Sequence, residues 1–278
     1  MSHFLRSLAL SGSLAVVARA VPAQSSLGPE RRDIGDFRGD LWAVWSSPAH
    51  ADRRAIAPVA GITAAVVLTA FRDSVIYAWM TTHPNSFAMQ ALAPMREHWK
   101  LPLYELGSGQ YLLPLSGLAY VAGRLSHDPA LRDGGLGCAA GHLSSAVLRD
   151  VIYLSISRVR PHDTPKPDRI SVPGKRAWMR HSFLSGHIAN SMACASFLSH
   201  RYSLGVAEPF AYAYVTAIGL GRMADGWHWA SDTMAGAAVG FAIGKLIAER
   251  QEFRVASRAN AGPVAVGTPI RVGWSFTF

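Results

Sequence analysis

Six apolar runs separated by polar breaks limit what this chain can become: Ala55 to Phe71, Gln110 to Gly123, Leu136 to Ser157, Phe183 to Leu198, Pro209 to Leu220 and Trp229 to Ile247. They are rich in Ala, Gly and Ser and show few residues at period two, so they read as helices rather than strands. Helices of this kind predict an all-α fold, a single bundle of about six core helices. Hydrophobic residues make up 50% and charged residues 16% of the chain, against about 25% charged in an average soluble domain. Several runs meet a charge or a proline before the roughly 20 residues that a membrane span needs. Arg149, Asp150, Arg222 and Asp232 lie inside or beside them, and ionisable groups at such places are usually functional. The balance favours membrane association, with an integral and a soluble bundle both open.

Between Arg160 and Asp232 the polar residues fall into three blocks: Arg160-Pro161, then Ser182 to His187, then Gly221-Arg222 followed by His228 and Asp232. In the last block the histidine and the carboxylate stand at i and i+4, neighbours on one helical face. A carboxylate there holds an imidazole in one tautomer and leaves the other ring nitrogen to attack phosphorus. Arg222 is suited to the oxygens that gain charge in the transition state. In the middle block, Ser185 and Gly186 precede an apolar run, where a glycine lets helix N-terminal amides approach a phosphate. His187 is placed to give a proton to a leaving oxygen.

With these residues in view, the chain resembles the type 2 phosphatidic acid phosphatases, a superfamily that includes bacterial acid phosphatases and vanadium haloperoxidases. Its signature, Lys-x6-Arg-Pro, Pro-Ser-Gly-His and Ser-Arg-x5-His-x3-Asp, matches in order and spacing over roughly residues 150 to 235. The resemblance implies a helical fold, His228 as nucleophile, Asp232 as its partner and His187 as general acid. It further implies a phosphate cradle of Arg160, Arg222, Ser185 and Gly186, and chemistry without a metal or other cofactor.

Three positions depart from the signature: Leu184 replaces proline, Gly221 replaces serine, and Tyr153 stands where the family has lysine. Tyr153 takes the lysine's place in the phosphate-binding set but carries no charge near neutral pH. A lost charge-assisted contact costs about 1.5–3 kcal/mol, one to two decades in rate. Arg149, one helical turn before Tyr153, is positioned to replace the charge.

Outside this region, residues 1–23 carry Arg6, an apolar stretch from Leu8 to Val17 and Val21-x-Ala23, the pattern of a secretory signal peptide. Residues 24–54 read as an extended or amphipathic lead-in, with Trp42 and Trp45 suited either to a membrane interface or to packing. Residues 55–250 form the helical phosphatase-like domain. After Arg250 the periodicity stops, and 251–278 read as a strand-like tail with Val272, Trp274, Phe276 and Phe278 on one face. That tail is expected to form a hairpin on the bundle or to pair with a second copy. Cys138 and Cys194 sit in apolar surroundings; free and buried is the default, with a disulfide open to them in an exported protein.

The net charge of +9 is spread along the chain without a run of five or more like charges, which suits an anionic surface or phosphate substrate and argues against nucleic acid. A basic loop with Lys166, Arg169, Lys175, Arg176 and Arg180, flanked by His162 and His181, either collects anionic substrate or is a solvated surface. The expectation is a cell-envelope phosphatase, membrane-associated or periplasmic, acting on a phosphomonoester or pyrophosphate borne by a lipid or small molecule. Two alternatives stand beside it: a degenerate homologue that binds an anionic lipid or partner without turnover, and vanadate-dependent oxidation in the same cradle.

Overall fold

The computed structural model describes residues 29–96, 103–155, 157–168, 170–171 and 181–260. Its helices are α1 (Pro29–Ser46), α2 (Ile56–Ala70), α3 (Asp73–Thr82), α4 (Phe87–Ala91), α5 (Gly109–Leu125), α6 (Pro129–Ser155), α7 (Gly186–Tyr202), α8 (Ala207–Ala224) and α9 (Ala230–Asn260). A two-residue antiparallel ladder, β1 (Ser157–Arg158) with β2 (Ile170–Ser171), is the exception to the helical architecture. Each of the six apolar runs lies largely within one of the longer helices. The lead-in becomes α1, whose Phe37, Leu41 and Val44 pack on the core.

The centre of the bundle is α7 against α9. Gly236, Gly240 and Gly244 form a stripe on α9 at i, i+4 and i+8. A Cβ on them would stand 2.7 Å from the Ser185 carbonyl, 2.3 Å from that of Ala189 and 2.2 Å from that of Ala193. Small residues at this spacing let two helices approach until backbone meets backbone. Phe197, Ile243, Ile247, Cys138 and Ala140 fill the adjoining core. Truncating the fully buried Phe197 would cost about 3–5 kcal/mol.

Two expectations need correction. Cys138 and Cys194 are joined in a disulfide between α6 and α7, with Cα atoms 4.5 Å apart. Gly137 lies against Phe197 and Gly141 against Ala193, and this close helix packing turns the two cysteines to face each other. The helical region also does not stop at Arg250, because α9 continues to Asn260. Its last turns are held by Arg250 and Arg254 on Asp40, and by Arg258 on Asp36. The signal segment, most of the basic loop and the expected strand from Val272 to Phe278 lie outside the described residues.

Among the described residues, one helical stretch is long and apolar enough to cross a membrane: Arg53–Ala70, of which 6% is buried. Ile56, Val59, Leu68 and the following Phe71 all face outward, as do Leu118 and Leu125 of α5 and Phe210 of α8.

Candidate active site

The ladder and its neighbours draw the three polar blocks together. The backbone N–H of Ser182 donates to the Arg158 carbonyl at 2.9 Å, and Val159 bridges to His181. Trp229 Nε1 donates to the Val159 carbonyl at 2.9 Å, and the Ser185 N–H reaches the Asp232 carbonyl at 3.2 Å. Residues distant in the chain are thereby fixed by backbone hydrogen bonds, which leave little freedom once buried.

His228 lies in the turn between α8 and α9, not on a helix. The turn passes through Gly226, whose φ of +71° suits glycine and whose carbonyl accepts from the backbone N–H of His162. His228 is buried, and its Nδ1 lies 2.7 Å from the Ser182 carbonyl oxygen. A carbonyl only accepts, so Nδ1 carries the proton and Nε2 keeps its lone pair.

The i, i+4 expectation therefore needs revision, since α9 begins at Ala230 and His228 and Asp232 do not share a helical face. Asp232 instead reaches back to the backbone N–H of Trp229 at 2.9 Å, as the third residue of a helix does in a capping box. Its carboxylate also accepts from the Ser182 hydroxyl and from Arg158. Asp232 and His228 are thus joined through Ser182, whose hydroxyl meets the carboxylate and whose carbonyl meets the imidazole.

Arg158 had no signal in the sequence. It donates to Asp232, to Ser231 Oγ at 2.8 Å and to Asp73 Oδ2 at 2.7 Å. Both carboxylates are fully buried. Burial raises the carboxyl pKa of Asp232, and the Arg158 charge opposes that shift.

Ser185 caps α7 without a side-chain hydrogen bond of its own, and its fully buried Oγ meets no partner among the described residues. Beside it are Gly186 and the first N–H groups of α7, which lack acceptors within the helix. His187 follows, its ring 5.6 Å from that of Tyr104. Arg222 lies 4.7 Å over the Tyr104 ring and 4.8 Å over Trp227, and Arg160 lies 4.5 Å over Trp227. Tyr104 and Trp227 thus link the two arginines and the histidine through ring contacts, a role their positions in the sequence did not announce.

The electrostatics follow from this crowding. Burial, reinforced by Arg222, pushes the His187 pKa down to about 3. Burial and the charges of Arg222 and Arg160 likewise hold His228 well below the ordinary histidine range. Both rings are neutral at pH 7. Tyr153 is stacked 4.8 Å from His181 and donates its hydroxyl proton to the Leu184 carbonyl at 3.1 Å. It does not continue one helix towards Arg160, because α6 ends at Ser155.

Residues 135–255 match the sequence model of the PAP2 superfamily, so the resemblance stated from the three blocks is borne out. The lipid A 1-phosphatase of Porphyromonas gingivalis is 37% identical over 70 residues, which are 24% of this chain and 15% of that protein. The match thus spans a small part of that relative's length. A crystal structure of a transmembrane PAP2-type phosphatidylglycerolphosphate phosphatase from Bacillus subtilis superposes with a TM-score of 0.42 at 21% identity, covering 66% of this chain and 97% of that one.

Proposed function

Taking residues 135–255 as a PAP2-superfamily segment, we propose that the chain is an exported, membrane-associated phosphatase that hydrolyses a lipid phosphate or related monoester or pyrophosphate through a phosphohistidine. The observation that carries this reading is the buried His228, with Nδ1 held on the Ser182 carbonyl and a lone pair left on Nε2.

In the first step Nε2 of His228 attacks phosphorus while the bond to the leaving oxygen breaks. Arg222, Arg160, Ser185 and the α7 amides hold the three remaining phosphoryl oxygens as charge shifts among them. His187 passes a proton to the departing oxygen, then takes one from the water that cleaves the phosphohistidine. Since the site without substrate keeps His187 neutral, that proton arrives with the substrate monoanion, or is taken up once phosphate charge offsets the arginines. Resemblance to the family supplies the further expectation that no metal takes part.

Membrane association is supported by α2. With the turn Arg53–Ala55 before it, α2 completes the 18-residue stretch Arg53–Ala70, about 27 Å long at 1.5 Å per residue and close to the roughly 30 Å hydrocarbon core of a bilayer. A lipid-borne phosphate is accordingly favoured over a soluble ester. The non-catalytic alternative is not favoured, because the histidines, arginines and α7 N-terminus are assembled together.

The test is phosphate release by the purified chain, in detergent, from a lipid phosphate, an isoprenyl pyrophosphate and a chromogenic monoester, with His228→Ala as control. Release that depends on His228 and is fastest for a lipid substrate supports the proposal. Binding of lipid phosphate without release from any of the three would replace it with the non-catalytic reading.

A further inference from the structure

Resting on the phosphatase reading of the site, we infer that Arg149 supplies the phosphate-binding cation where the resembled family has lysine and this chain has Tyr153. The tyrosine is committed elsewhere. Its hydroxyl donates to the Leu184 carbonyl and its ring is stacked on His181, so it braces the backbone just before Ser185 and Gly186. Burial holds its phenol at a pKa of about 12, and it carries no charge to offer a phosphate.

Arg149 stands one turn earlier on α6, its guanidinium 5.8 Å from the centre of the Tyr153 ring. Nε and Nη2 both contact Oδ1 of Asp150, at 2.9 and 2.8 Å. Nη1 turns the other way, against Gly186: a Cβ built on that glycine would lie 2.8 Å from both Cδ and Nη1 of Arg149. Gly186 therefore does more than expose amides, since the space its missing side chain leaves is taken by the arginine. The charge is also felt where the chemistry is proposed, because Arg149 is among the groups that depress His187.

An ion pair with Asp150 alone would not explain this placement. Asp150 is the next residue in the chain and more than a third exposed, a pairing worth little in water. The stack of Arg149 on Tyr153 and the glycine beneath it position the fork instead, with one edge on Asp150 and the other at the α7 N-terminus. A bidentate donor of this kind suits phosphate better than a lone ammonium.

The experiment titrates inorganic phosphate calorimetrically into the purified full chain and into Arg149→Ala, Arg149→Lys, Asp150→Asn, Tyr153→Lys and the Arg149→Ala/Tyr153→Lys pair, with folding checked by circular dichroism. Arg149→Ala is expected to weaken phosphate about ten- to a hundredfold, the loss of one charge-assisted contact, while Asp150→Asn binds within about threefold of the unmodified chain, as expected for an exposed ion pair. The double variant recovers most of the loss by returning a lysine to the family position. If Arg149→Ala does not fold, Arg149→Gln gives the same reading by removing the charge while keeping most of the side chain's length. Unchanged phosphate binding in Arg149→Ala, or an equal loss in Asp150→Asn, overturns the assignment of Arg149 alone. Phosphate binding to none of the proteins, the unmodified chain included, overturns the phosphatase reading and this inference with it.

Discussion

At the C-terminal end of α9, Arg250 and Arg254 close on Asp40, Arg254 and Arg258 on Asp36, and Arg124 and Arg132 on Asp33. Near its N-terminal end Arg149, Arg160 and Arg222 stand by two histidines that burial, reinforced by arginine charge, keeps neutral. Asp232 and Arg254 are 22 positions apart on one helix, about 33 Å at 1.5 Å per residue. Both regions are rich in arginine. In the first each positive charge has a carboxylate within ion-pair distance, and the result is a clasp that holds α1 against α6 and α9. In the second, burial and the arginine charges together depress the histidine pKa values, and an arriving anion offsets the charge part of that effect. Arginine count alone would not distinguish them. The field at the histidines does.

The sharpest way to break the comparison is to remove the nucleophile. His228→Ala is expected to lower kcat by about a thousandfold or more, about 4 kcal/mol of barrier, while phosphate binding survives. A rate within about tenfold of the unmodified protein contradicts the assignment.

The next two substitutions should dissociate the regions. Arg254→Ala leaves the buried Asp40 with a weaker partner and is expected to cost about 3–5 kcal/mol of stability with kcat unchanged, measured by denaturant unfolding and by turnover. Arg222→Ala should do the reverse, lowering kcat/KM about ten- to a hundredfold without lowering Tm. If both variants lose stability equally and neither loses activity, the distinction between clasp and cradle fails.

Smaller effects follow from pH. His187 in the folded chain titrates near 3, below the ordinary histidine value of about 6.5, so the unfolded chain binds the extra proton between those limits. Stability is fully present above about pH 6.5 and is lost as pH falls towards 3. Tm measured across that window should fall, and His187→Gln should flatten the fall. In kinetics, kcat/KM should decline as pH rises through the second ionisation of the substrate phosphate, about 6, if the monoanion brings in the proton that His187 lacks. The smallest expected effect is none: EDTA should leave the rate unchanged, and a reversible loss restored by Mg²⁺ or Zn²⁺ would point to metal chemistry.

How much of this was readable beforehand varies with the physics involved. The long apolar helices were legible because burial imposes a period, and the three polar blocks because their order and spacing are specific. Asp232 was read as sharing a helical face with His228, and the geometry differs, because i, i+4 spacing does not say whether a helix starts before the pair or between its members. Here the chain turns at Gly226 and the helix begins two residues after His228, which makes Asp232 a capping residue. Arg158, Tyr104 and Trp227 carry no spacing signal, since their contacts arise only when distant segments meet. The Cys138–Cys194 disulfide was missed for the same reason, because residue type and parity do not report which helices pack. The clasp residues of α1 were visible as charges, but nothing local told that Asp40 would be buried.

The central claim is that the crowded cations serve a covalent step at one histidine. Rapid mixing with a radiolabelled lipid phosphate or pyrophosphate, an alkaline quench and peptide mapping would test it most directly. The account predicts a label on the peptide holding His228, stable to alkali, lost in acid and absent from His228→Ala. Label on another residue, or turnover at full rate with no labelled intermediate at any time point, would contradict it.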